Sequence, residues 1–219
     1  MLFEQTKNLI YKDLRLELRQ KYAINGILLY VVSTMFICYL SFNRILDTDT
    51  WNALFWIIML FSAVNAVSKS FVQESPARHL YYYTLTSPQA VILSKILYNI
   101  LIMLILSALG FVAFISLMGN LVVNLSLFIL ALLLGSIGFA GMLTMVAGIA
   151  SRTNNNFTIM ALLSFPIALP LLSTLMKISG KAMQSADWGG NTGYILVLLL
   201  IDIIVVALSY VLFPYLWKD

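Results

Sequence analysis

Between Lys95 and Arg152 lie 56 consecutive residues without a formal charge, most of them Leu, Ile, Val, Phe, Met, Ala or Gly. A helix that crosses the hydrocarbon core of a bilayer needs about 20 apolar residues. The run therefore holds two spans, joined at the one turn-like break inside it, Met118-Gly119-Asn120. No soluble core asks for so long an uncharged stretch, and the chain is expected to live in a membrane.

Composition agrees. Hydrophobic residues make up 61% of the 219 and charged residues 10%, with a mean hydropathy of +0.94, far from the balance of a soluble domain. The length reads as a single transmembrane domain over 1–219, with no room for an attached soluble enzyme. The single Cys38 sits in an apolar run, which excludes disulfides within the chain and Cys-based metal sites. A net charge of +4 does not point to nucleic acid, because the basic residues stand at the ends of spans rather than on one continuous face. No cleavable signal peptide is expected, since a charged segment of 23 residues precedes the first apolar run.

Six apolar segments can be counted, at about 24–42, 53–71, 91–118, 125–150, 157–176 and 194–216. Inside a bilayer the backbone must satisfy itself, so each reads as a helix and the fold class is an all-α polytopic membrane protein. If the N-terminus is cytoplasmic, the inside segments hold Lys7, Lys12, Arg15, Arg19, Lys21, Lys69, Arg78, Lys95, Arg152 and Lys218. The outside segments then hold Arg44, Lys177 and Lys181. Ten against three is a strong positive-inside bias, so both termini are expected in the cytoplasm.

Residues 1–23 read as an amphipathic interfacial helix. Phe3, Ile10, Leu14 and Leu18 fall on one stripe and Lys12, Arg15 and Arg19 on another, while Leu9 and Leu16 lie on a third side. Such a helix could wedge between lipid and protein; a solvated basic anchor is the plainer reading. The inside loop at 72–89 is punctuated twice. Ser75-Pro76 is suited to start a short helix, with Ser as N-cap and Pro at the first helical position, and Ser87-Pro88 opens the third span in the same way. The short helix between them exposes Arg78, His79 and three tyrosines, the residue types that protein contacts use.

Self-contained chemistry is missing from the pattern. Gly180-Lys181 lacks the upstream glycine and the following Ser or Thr of a phosphate-binding loop, and no metal-protease, haem-attachment or nucleophile-elbow motif occurs. The chain is not expected to be an enzyme or to hold a metal. His79 could ligate iron in principle, but beside Arg78 in a cytoplasmic loop a contact role fits better. Asp202 is the one acid inside a span, within Leu200-Ile201-Asp202-Ile203-Ile204, and an intramembrane carboxyl raises a functional hypothesis by default. It reads either as a protonated or hydrogen-bonded group packed in the bundle, or as one paired with Lys177 or another subunit. Ser209 shares its helical face. Gly135, Gly138 and Gly141, with Ala131 and Gly148, form a small-residue face on the fourth span, suited to tight packing or to a subunit interface. Pro166 and Pro170 kink the fifth span, which is expected to end near Lys177 as a flexible outer element. Trp188, in Asp187-Trp188-Gly189-Gly190, reads as an interface anchor.

The order of these pieces resembles the membrane subunits of ABC-2-type ABC transporters, and more narrowly the CcmB family of heme exporters in bacterial cytochrome c maturation. The residues that carry the likeness are Lys12-Asp13-Leu14-Arg15-Leu16-Glu17-Leu18-Arg19, Ala90-Val91-Ile92-Leu93-Ser94-Lys95, Gly138-Phe139-Ala140-Gly141 and Phe165-Pro166-Ile167-Ala168-Leu169-Pro170-Leu171-Leu172. The likeness spans almost the whole chain. It departs in the loop after the second span, where family members often carry a more acidic stretch and here only Glu74 stands before Arg78-His79-Leu80-Tyr81-Tyr82-Tyr83. The resemblance implies a permease subunit in the bacterial inner membrane whose inside loop is a coupling helix, with Glu74, Arg78, His79, Leu80, Tyr82 and Tyr83 facing an ATPase. It further implies the partners CcmA (the ATPase), CcmC, CcmD and the heme chaperone CcmE, and two copies of this chain. ATP and heme would be held by those partners, with no cofactor bound by the chain itself. Two other readings stay open: an ABC-2 permease for a lipid, drug or glycan, and a non-transporting membrane scaffold.

Overall fold

The computed structural model describes residues 2–19, 22–42, 47–72, 86–151, 156–185 and 190–218. They form seven helices: α1 (Leu2–Arg19), α2 (Tyr22–Phe42), α3 (Thr48–Val72), α4 (Pro88–Met118), α5 (Leu125–Ala150), α6 (Asn156–Gln184) and α7 (Thr192–Lys218). Six of these, α2 to α7, are long and apolar enough to cross a membrane. The expected coupling helix and its residues Glu74, Arg78, His79, Leu80, Tyr82 and Tyr83 lie outside the described residues, as do Asp187, Trp188 and Gly189.

The spans alternate between two ends. One, here the terminal end, gathers the close of α3, the start of α4, the close of α5, the start of α6 and the close of α7. At the start of α4, Ser87 is in extended backbone and its hydroxyl accepts from the Ala90 N–H, with Pro88 opening the helix as its sequence suggests. At the opposite end Gly119 closes α4 at φ +84°, a left-handed backbone that favours glycine. Asn124 then caps α5 by accepting from the Leu127 N–H at 3.0 Å. Asp47 caps α3 through Thr50, a bond that holds its carboxyl below the ordinary range.

Helix α5 is the axis of the bundle. Over an 18-residue window of its span 78% of residues are buried, against 17% for α2 and 22% for α7, and it packs on α3, α4, α6 and α7 together. Its glycines make this possible. A Cβ on Gly135 would stand 3.0 Å from the Trp56 ring and 3.1 Å from Leu175; one on Gly138 would stand 2.5 Å from Asp202 and 2.6 Å from Leu171. Gly141 faces Val205 and Val206 at ordinary contact distance. The small-residue face at Gly135, Gly138 and Gly141 is thus packed within the protomer by α3, α6 and α7, the tight packing that its residue types suggest rather than the subunit interface weighed beside it.

Polar rungs tie α4 to α5: Asn99 donates to the Thr144 hydroxyl at 2.8 Å and Ser136 to Ser107 at 3.0 Å. Toward the opposite end, rings of Trp51, Phe55, Phe111, Phe114 and Phe128 interlock, with Trp51 and Phe114 edge to face at 4.7 Å and Phe111 stacked on Phe128 at 4.8 Å.

Helix α6 carries Pro166 and Pro170 within it and runs to Gln184, eight residues past the expected boundary at 176. Thr174 donates to the Pro170 carbonyl at 2.8 Å, a local polar contact beside the proline pair. The far end of α6 is tied down rather than loose. Trp56 donates to Ser179 at 2.8 Å, Ser179 to Asn52 at 2.7 Å, Asn52 to the Met176 carbonyl at 2.8 Å, and the Asn124 N–H to the Ala182 carbonyl at 2.8 Å.

The spacing around α5 predicts a graded response. Gly138→Ala must displace Asp202 and Leu171 and is expected to cost about 1–3 kcal/mol by overpacking. Gly135→Ala should cost less, and Gly141→Ala nothing, because Ala is the better helix former. Melting of the three variants in detergent, read as loss of the folded monomer on heating, checks that order.

Candidate functional site

Helix α1 is seated lengthwise on the start of α4, with Thr6, Leu9 and Asp13 buried beneath it. These residues are spaced by three and four, one stripe of a helix. The apolar stripe read from the sequence is a different one: Phe3 is 81% exposed, and Ile10 and Leu14 are half-buried. The seat is chosen by polar pairing instead.

Three bonds fasten it. The Ser87 hydroxyl donates to Gln5 Oε1 at 3.2 Å, the Lys95 ammonium meets Asp13 Oδ2 at 3.2 Å, and the Tyr98 hydroxyl donates to Glu17 Oε2 at 2.9 Å. The sequence separations of 82, 82 and 81 are nearly constant, so α1 and the first turns of α4 run side by side in the same direction. Lys95 and Asp13 retain only 6% and 7% of their side-chain exposure. Lys12 holds the other Asp13 oxygen at 2.9 Å, so one carboxylate bridges two ammonium groups. Helix α4 has 31 residues, about 46 Å at 1.5 Å per residue, against about 30 Å of hydrocarbon. The excess at its start is the part that carries α1. Lys95, the last charge before the uncharged run, is neutralised there by a carboxylate from another helix.

This clasp lies where the chain leaves residues 73–85 and enters α4. Two of the segments that carried the family likeness, Lys12–Arg19 and Ala90–Lys95, are the two it brings together. Their partnership was hidden because nothing in either segment names a partner 82 residues away; Asp13 and Glu17, set among Lys12, Arg15 and Arg19, were the available signal.

A second polar feature lies deeper. Asp202 on α7 is 5% exposed, and neither carboxyl oxygen has a hydrogen-bond partner among the described residues. Its neighbours are Gly138 on α5 and Leu171 on α6. The Ser209 hydroxyl is spent on the Val205 carbonyl at 2.7 Å. Lys177, weighed above as a partner, lies over the Tyr194 ring at 5.6 Å instead. Lys181 sits 4.8 Å over the same ring and donates to the Gly190 carbonyl at 2.7 Å, joining α6 to α7. Pro166 and Pro170 lie within α6, away from the clasp.

Two predictions follow from these geometries. Lys95→Met alone leaves the buried Asp13 short of a partner and is expected to cost about 3–5 kcal/mol, whereas Lys95→Met with Asp13→Leu should recover most of that loss; a double-mutant cycle on melting temperature checks it. Asn fills the space of Asp202 without a charge, so Asp202→Asn should keep wild-type membrane level and function. Loss of function at normal membrane level would identify instead a carboxyl that carries a proton or cation.

The family model described as CcmB protein matches residues 4–215, from the first turn of α1 to the last turns of α7. No curated protein matches the sequence. With the match covering nearly the whole chain and six spans present among the described residues, the chain belongs to the CcmB family and is a multi-pass membrane protein, the membrane subunit of a heme-export ABC transporter of cytochrome c maturation.

Proposed function

We propose that this chain couples ATP hydrolysis by the separate subunit CcmA to heme export, or to release of heme-loaded CcmE, with both termini on the cytoplasmic side of the bacterial inner membrane. The distribution of Lys and Arg supports the orientation. The observation that carries the coupling is the clasp at the exit of the 72–89 loop. A displacement delivered to that loop enters α4 at Ser87, and the Asp13–Lys95 and Glu17–Tyr98 bonds make α1 move with it. Through its rungs to α5, the same displacement reaches the helix that packs on α3, α6 and α7.

In this reading Arg78, His79, Leu80, Tyr82, Tyr83 and Glu74 face the ATPase, while CcmC, CcmD and CcmE handle the cargo. ATP belongs to CcmA and heme is cargo, so the chain holds no resident cofactor. Two copies assemble, each with one ATPase. With the α5 glycines used internally, the outward residues of α2 and α6, the first and fifth spans, supply the contact between them.

A complex purified with CcmA provides the test. Its native mass is expected to give two copies of this chain, and Arg78→Ala with Tyr82→Ala to leave insertion intact while uncoupling hydrolysis from cytochrome c maturation. One copy per complex, or normal hydrolysis and maturation in the double variant, would overturn the proposal. Normal maturation in cells lacking this chain would favour a permease for another substrate.

A further inference from the structure

Helix α1 borders two concavities that meet at Tyr11. One is an apolar groove of about 580 Å³ between α1, α4 and α7, walled by Phe3, Ile10, Leu14, Leu93, Leu97 and Val206, with Lys7 and Tyr11 at its rim. The other, of about 590 Å³, is lined by Tyr11, Lys12, Arg15 and Leu16. Both volumes fall within the roughly 300–1,000 Å³ of small-ligand clefts. Tyr11 belongs to both.

We infer that this double groove binds one anionic phospholipid of the surrounding leaflet, an acyl chain in the apolar half and the phosphate in the basic half. Lys7, Tyr11 and Arg15 stand four residues apart, so they form a ladder along one side of α1 with about 6 Å between rungs. Lys12 is engaged by Asp13, so Arg15 in the basic half and Lys7 at the rim of the apolar half are the cations that meet the phosphate where the two halves join. The level is right as well. Helix α1 lies beside the turns of α4 on either side of Lys95, the last charge before the uncharged run, where headgroups give way to hydrocarbon, and basic pockets between helices at that depth recruit anionic headgroups. A free phosphate has no use for the groove. A zwitterionic lipid fills the groove but gains nothing from the two cations. The inference rests on the membrane-spanning fold and not on the coupling reading, so either can fail alone.

The test uses the full chain, delipidated in detergent and given phosphatidylglycerol, phosphatidylcholine or inorganic phosphate. Native mass and thermal melting are the readouts. Phosphatidylglycerol is expected to give a single retained adduct and a raised melting temperature, with phosphatidylcholine binding more weakly. Lys7→Gln with Arg15→Gln, both at exposed positions, should cut the preference for phosphatidylglycerol by roughly 30-fold. A photo-crosslinking residue in place of Leu97 should label lipid in the native membrane. Equal binding of the two lipids, an unchanged preference in the double variant, protection by inorganic phosphate alone, or crosslinking to protein rather than lipid would each overturn the inference.

Discussion

Water is absent from the hydrocarbon core, so a polar side chain placed there is costly unless it finds a partner within the protein. The arrangement of this bundle follows from where its polar groups fall. Asn99 meets Thr144, Ser107 meets Ser136, and Asn52, Trp56 and Ser179 close a chain that ends on a carbonyl of α6. Each such bond is modest, averaging about 0.6 kcal/mol between membrane helices. Their placement matters more than their sum, because apolar side chains alone would let one helix slide along another, whereas a paired Asn and Thr admit one register.

Close approach is the second condition. A rung between side chains as short as Ser107 and Ser136 exists only when the helices nearly touch, and the small residues of α5 permit that. The same residues explain why α5 can contact four neighbours at once. Such packing occupies the glycine face within the protomer, so the proposed dimer would use surfaces that the bundle leaves open, such as α2, most of whose span faces outward, and the outward residues Leu162, Phe165 and Leu169 of α6.

The spans were legible because their signal is compositional: charge-free runs of the right length have no other stable home, and Ser87-Pro88 and Met118-Gly119-Asn120 carry local backbone chemistry. Less was legible wherever a residue's role depends on a distant partner. Lys177, Ser179 and Lys181 looked like loop, yet α6 continues through them because Asn52, Trp56, Tyr194 and Gly190 receive their side chains. The apolar stripe of α1 marked an interfacial helix but not the face that seats on the bundle, which is Thr6, Leu9 and Asp13, the last meeting the buried Lys95. Asp202 was visible as an anomaly. Its neighbours Gly138 and Leu171 were not, for they come from two other helices.

Helix α1 therefore has two unlike sides. One is bound to α4 by charge and hydrogen bonds of fixed geometry, so its position reports on the start of α4. The other is apolar and basic and, in the proposed reading, faces the leaflet, which is fluid and imposes no register. A helix held rigidly on one side and loosely on the other can follow α4 without detaching from the membrane surface. In the proposed coupling, the ionic clasp would make the movement of the two helices common, and the lipid-facing side would let it occur without exposing Phe3, Ile10 or Leu14 to water.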